Sequence, residues 1–205
     1  MRNWTWDEIT AELGLAEQIE GVVHPHDIRD CAGLFHVRDN SGSTEYEFLN
    51  LLHAFVLAMK PARVIETGTF TGMGTVAIAH ALKMNGVGRL WTVDLEDCAE
   101  AKRHIHNYEL GPCVEFVRSD SADFCARYLG EPFDLAFIDS GEGRLKETLT
   151  LIERGMLREG ALVLVHDAGP YRQNFSSSWK EAFDGGCPLH ANTLPLSRGL
   201  RIMFV

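Results

Sequence analysis

Residues 64–75 read VIETGTFTGMGT. A β-branched, apolar run ends on an acid, Glu66, with glycines following at Gly68 and Gly72. The pattern is that of a strand giving way to a ligand-holding turn, because glycine lets backbone come closer to a ligand than a Cβ would allow. A phosphate-cradling P-loop would need Gly-x-x-x-x-Gly-Lys-[Ser/Thr], and no lysine follows here. A dinucleotide fingerprint would need Gly-x-Gly-x-x-Gly, whereas Gly68, Gly72 and Gly74 are spaced Gly-x-x-x-Gly-x-Gly. Glu66 would also repel a pyrophosphate at close range and attract a cation. S-adenosylmethionine, with its amino group and sulfonium, meets that requirement better than NAD does.

Further residues with chemistry to offer recur downstream, each after an apolar run. In LWTVDLE the strand is expected to end at Asp94, 26 residues after Gly68, where an acid accepts ribose hydroxyls. NAD sites use the same device, so Asp94 alone does not discriminate. FVRSDS carries Ser119, Asp120 and Ser121; FDLAFIDS carries Asp139 and Ser140; LVLVHDAG carries His166 and Asp167. Two of these acids, Asp139 and Asp167, are expected at the ends of adjacent strands, pointing into one crevice. Such acids repel unless something positive lies between them, either a divalent ion or His166 in its charged form. Uncharged, His166 suits a general base, since its ordinary pKa lies near neutrality.

The elements that must hold these residues alternate. Strands are expected at 63–68, 89–95, 114–120, 133–139 and 161–166, with helices at 73–85, 97–110, 122–129 and 144–157 between them. Strict alternation means a parallel sheet with helices on both faces. Two further strands, about 189–194 and 200–205, flank Pro195–Gly199 and are expected to pair antiparallel. Thr5 and Glu8 fit a capping box opening a first helix, and Thr44 and Glu47 fit a second. Between them, 21–43 loses periodicity and holds His24, His26 and His36 in a lid-like loop.

The chain has 205 residues and a formal net charge of −10, which argues against non-specific nucleic-acid binding. MRNWTWDEIT contains no signal-peptide core, and no apolar run is long enough to span a membrane, so the expected location is cytoplasmic. Five scattered cysteines without a CxxC pair suggest reduced thiols.

ETGTFTG resembles the first motif of class I S-adenosylmethionine-dependent methyltransferases, in particular their small-molecule O-methyltransferase branch of catechol-type and macrocin- and cephalosporin-type enzymes. The likeness covers roughly 43–205, and the later strand-end residues fall in the family's order. It implies a single Rossmann-like, doubly wound, mostly parallel seven-stranded α/β sheet with an antiparallel C-terminal strand. The domain would be 44–205, preceded by the N-terminal helix and loop of 1–43. It implies cofactor contacts from Glu66, Gly68, Thr69, Phe70, Gly72, Asp94, Ser119, Asp120, Ser121, Asp139 and Ser140, with the turn at 119–121 holding the adenine. It also implies a small-molecule acceptor, and related enzymes often dimerise, so a homodimer is an expectation. His166 and Asp139 are the candidate catalytic residues.

Metal-dependent members bind Mg²⁺ through acids at the positions of Asp139 and Asp167 with a third ligand alongside, here His166. The chain departs from both types: Ala168 stands where catechol-type enzymes have Asn, and His166 where macrocin- and cephalosporin-type enzymes have an acid. Other roles stay open. Asp120 also suits the N-cap of the 122–129 helix, Phe70 and Met73 suit the core as well as a cofactor wall, and His24 and His26 suit a loop as well as an acceptor pocket. The alternatives in function are an NAD-dependent oxidoreductase and a non-catalytic S-adenosylmethionine-binding module.

Overall fold

The computed structural model describes residues 2–14, 44, 46–141, 143–168, 190–194 and 200–205. The loop at 21–43 with its histidines, the Cys31 and Cys187 thiols and the 195–199 connection lie outside the described residues.

Helices α1 (Trp6–Glu12) and α2 (Tyr46–Met59) precede an alternating series: β1 (Arg63–Thr67), α3 (Met73–Asn85), β2 (Arg89–Asp94), α4 (Ala99–Asn107), β3 (Val114–Arg118), α5 (Ser121–Arg127), β4 (Phe133–Ile138), α6 (Arg144–Glu153) and β5 (Leu157–His166). Strands β6 (His190–Leu194) and β7 (Leu200–Phe204) complete the sheet, in the order β3-β2-β1-β4-β5-β7-β6. The first five strands run parallel, and β7 pairs antiparallel with both β5 and β6.

Side chains of a strand alternate between faces, and here both faces are covered. Val64, Leu90, Leu135, Leu162 and Leu200 pack against Phe48 and Leu52 of α2 and Ala77 and Ile78 of α3. Ile65, Ala136, Val163 and Met203 pack against Cys125 of α5 and Leu151 of α6. A sheet buried on both sides explains why its strands read as continuous apolar runs. The helix expected at 144–157 ends at Glu153: Gly155 takes the left-handed conformation at φ +61° and the Met156 N–H bonds to the Leu151 carbonyl at 2.9 Å. Met156 and Leu157 therefore pack with the second core as the chain enters β5.

The capping box of α1 forms as expected: the Glu8 N–H donates to the Thr5 hydroxyl, and the Thr5 N–H to Glu8. This helix is docked by a buried imidazole relay. Trp6 stacks on His53 with ring centroids 4.6 Å apart and donates from Nε1 to Asn50 at 2.8 Å. His53 Nε2 lies 2.9 Å from His80 Nδ1, and His80 Nε2 lies 2.9 Å from the Trp4 carbonyl. A carbonyl only accepts, so His80 carries a proton on Nε2. Burial lowers the pKa of both rings, and in the neutral pair His80 Nδ1 accepts from His53. Burial, and then the nearby His80, push the His53 pKa down to about 4.

A group whose folded pKa is depressed contributes stability above its unfolded pKa that is lost as pH falls. For His53 that window runs from 6.5 down to about 4. Urea midpoints of the wild type should fall across this range, and His53→Phe should show a shallower fall; identical pH profiles would remove the relay from acid unfolding.

Candidate active site

Chain direction across the sheet reverses between β1 and β4: β2 and β3 extend to one side, β5 to the other. Ligands of open α/β sheets bind at such a switch point, beyond the strands' carboxyl ends. A cavity of about 470 Å³ lies there, within the range of small-molecule sites. Glu66, Gly68, Thr69, Phe70, Asp94, Ser121, Asp139 and Ser140 line it. Eight of the eleven residues expected to contact the cofactor are thus brought together by β1, β2, β3, β4 and the segments that follow them.

The other three do local work. Gly72 is the left-handed N-cap of α3 at φ +86°, and a Cβ there would come within 2.5 Å of Ala101. Asp120 caps α5 through the Asp123 N–H, and the Ser119 hydroxyl donates to the Asp120 carbonyl. Gly68 serves the fold as well as the cavity. Its φ is +87°, and a Cβ would lie 2.6 Å from the backbone oxygen of Asp139, so β1 and β4 can close together only over a glycine.

Three carboxylates around the cavity sit in three different environments. Glu66 is 1 % exposed and accepts the Thr75 and Thr92 hydroxyls on Oε2, each at 2.6 Å. Burial pushes its pKa up to about 8 against those hydrogen bonds, so it is largely protonated at neutrality. Asp94 is held by backbone: Oδ2 accepts the Phe70 N–H at 3.0 Å and Oδ1 the Glu96 N–H at 2.9 Å. Asp139 is partly buried, its side chain 14 % exposed; desolvation disfavours its charge, but His166, Arg144 and the Thr44 hydroxyl outweigh that and hold its pKa at about 2. Its Oδ1 accepts from His166 Nδ1 at 2.9 Å and Arg144 Nη2 at 3.2 Å, and its Oδ2 from Thr44 at 3.0 Å. His166, 2 % exposed between Asp139 and Phe48, stands behind Asp139 and outside the cavity lining.

Arg144 and Glu147 escape the sequence reading, and Thr44, read there as a helix cap, also reaches the site through Asp139. Arg144 Nη2 also lies 3.0 Å from Asp167 Oδ2, so one guanidinium nitrogen spans both acids. A signal existed: Arg144 opens α6, where the helix dipole disfavours a cation. Glu147, 2 % exposed, gathers the ends of three strands, accepting hydroxyls from Ser121, from Ser140 at 2.6 Å and from Thr67 at 2.8 Å. Asp167 itself takes the left-handed conformation at φ +59°, strain of the kind that concentrates at functional sites.

Asp139, His166 and Asp167 offer ligand atoms within 4.8 Å of one another, a donor set of the right kind for a divalent ion. Yet both oxygens of Asp139 already accept hydrogen bonds, and Arg144 bridges the two acids. An ion does not fit between them with Arg144 in place.

A family model described as a methyltransferase domain matches residues 65–168. The O-methyltransferase ankF of Aspergillus thermomutatus is 28% identical over 108 residues, 51% of this chain and 45% of that protein. The chain spans about half the length of the curated relatives it matches. Among solved structures, the SAH-bound methyltransferase PaMTH1 of Podospora anserina superposes with a TM-score of 0.73 at 16% identity, covering 98% of this chain and 97% of that one. The O-methyltransferase TomG of Streptomyces achromogenes, solved in complex with SAM, gives 0.71 at 21% identity, covering 94% and 95%. These likenesses show the fold.

Glu66 generates a pH prediction. Its folded pKa is raised from 4.5 to about 8, so the fold favours the protonated acid and loses stability as pH rises through that window. Glu66→Gln should gain on the wild type across it, by on the order of 3 kcal/mol. Parallel denaturation profiles at pH 5 and pH 8 would show that Glu66 is ionised in the fold at no cost.

Proposed function

The chain belongs to the methyltransferase-domain family, and from that premise we propose that it is an S-adenosylmethionine-dependent methyltransferase acting on the hydroxyl of a small molecule. One observation carries the reading: Glu66, Gly68, Asp94 and Asp139, from the ends of three parallel strands, line a single cavity at the switch point. Within this reading residues 44–205 are the transferase unit.

Bound there, S-adenosylmethionine supplies a methyl group already activated by its sulfonium. The protein's task is to hold the acceptor in line with that methyl, which is proximity catalysis. Asp94, fixed by two backbone amides, has its carboxylate pre-set to accept ribose hydroxyls. Glu66, protonated near neutrality, can surrender its proton to pair with a cationic amino group. Ser121 and Ser140, both tied to Glu147, are held at the cavity wall.

Asp139 is the group we assign to the acceptor. Ionised at neutrality, it accepts the acceptor's O–H hydrogen bond and turns an oxygen lone pair outward. The new O–C bond forms as the C–S bond breaks, its electron pair staying on sulfur. The acceptor oxygen becomes strongly acidic as this happens, so even a carboxylate of depressed pKa takes its proton and releases it to solvent. His166 acts through Asp139, donating from Nδ1 and fixing the carboxylate's orientation.

Calorimetry with S-adenosylmethionine and with NAD separates the enzyme classes: binding of the first alone is expected, and preferential NAD binding would replace this reading with an oxidoreductase. Formation of S-adenosylhomocysteine with a hydroxylated acceptor separates a transferase from a non-catalytic binder. Asp94→Ala, removing a charged acceptor of hydrogen bonds, should weaken S-adenosylmethionine by about 1.5–3 kcal/mol. An unchanged Kd in the folded variant would take Asp94 out of the site.

A further inference from the structure

We propose that Arg144 is the resident cation of this site, standing where a divalent ion would otherwise sit between Asp139 and Asp167, so that transfer needs no metal. The inference rests on the methyltransferase reading for its consequence but not for its geometry.

Arg144 Nη2 lies 3.2 Å from Asp139 Oδ1 and 3.0 Å from Asp167 Oδ2, and Nη1 is tethered to the Gly141 carbonyl at 2.9 Å. The three side chains are 14 %, 14 % and 3 % exposed, so little water screens the contacts. A guanidinium keeps its charge at every working pH. It therefore relieves the repulsion between the acids permanently, as an ion does only while bound. The donors around Asp139 take three of its roughly four lone-pair sites, Arg144 Nη2 and His166 Nδ1 on Oδ1 and the Thr44 hydroxyl on Oδ2, which leaves one on Oδ2 for the acceptor's hydroxyl. An incoming dication would have to break these bonds and would meet a fixed positive charge. Arg144 stands at the first position of α6, where the helix dipole disfavours a cation, and the two acids facing it offset that cost.

The same geometry bears on the acceptor. A metal selects acceptors that chelate it through two neighbouring oxygens, because it offers adjacent open coordination positions. Arg144, at the cavity wall, donates to two carboxylates and a carbonyl and keeps N–H donors to spare, Nε among them, but a hydrogen-bond donor has no coordination positions to be chelated. The acceptor class is accordingly a molecule presenting a single hydroxyl, with no requirement for a vicinal pair.

The test is Mn²⁺ binding, followed by the electron paramagnetic resonance signal of the free ion, on the full chain without cofactor or acceptor. Wild-type protein should leave Mn²⁺ free. Arg144→Ala should bind one ion per chain, at least roughly tenfold more tightly than wild type, and adding Asp139→Asn should abolish the gain. Arg144→Lys keeps a charge at the position and should stay without metal, which controls for a folding defect in the alanine variant. Stoichiometric Mn²⁺ binding by the wild type that Asp139→Asn removes would overturn the proposal, as would an Arg144→Ala variant that folds and gains no affinity. Methyl transfer should persist after exhaustive EDTA treatment, and its loss there with recovery on Mg²⁺ would also overturn it. A chain that binds no S-adenosylmethionine would instead sink the methyltransferase reading, while the Mn²⁺ result stands on its own.

Discussion

A negative charge kept ionised inside the protein is the constraint around which the site is arranged. Asp139 lies at the end of β4, where its N–H closes the sheet against the Thr67 carbonyl at 2.8 Å. Burial alone would protonate it, yet its pKa is held at about 2. That requires partners from separate parts of the chain: Thr44 ahead of α2, Arg144 on α6 and His166 on β5. Removing any one leaves a buried charge less well compensated, which is why such pairs are destabilising to break even when they add little net stability.

The cavity's acids show how one fold assigns different protonation states to one chemical group. Glu66 accepts from the Thr75 and Thr92 hydroxyls and is pushed up by burial to about 8, whereas Asp139 has cations beside it and is pulled down to about 2. Environments that drive carboxyl groups apart in this way are how a site obtains both a proton donor and a permanent anion near neutrality. The backbone completes the arrangement. Gly68 allows β1 and β4 to approach, and that approach brings Glu66 and Asp139 to one cavity.

Much of the frame was legible because its signals are local. Apolar runs ending in Glu66, Asp94, Asp139 and His166 mark strand ends, since parallel strands buried on both faces must be apolar until they leave the sheet. Helix α3 begins and ends where Gly72 and Gly86 permit left-handed turns. The helix at α6 was read four residues too long, at 157 and not 153, because apolar periodicity continues into Met156 while Gly155 breaks the backbone. The N-cap role read for Asp120 is filled, its Oδ1 accepting the Asp123 N–H at 2.9 Å.

By itself, the sequence determined the alternation of elements, the strand-end acids and the turn at Gly68, because each depends on neighbours a few residues away. Only the tertiary structure decided what those acids face. Arg144 reaches Asp167 across 23 residues and Thr44 reaches Asp139 across 95, and neither separation leaves a periodic trace. Charge compensation depends on distance in space, and the chain encodes that distance only through the way its strands are ordered in the sheet.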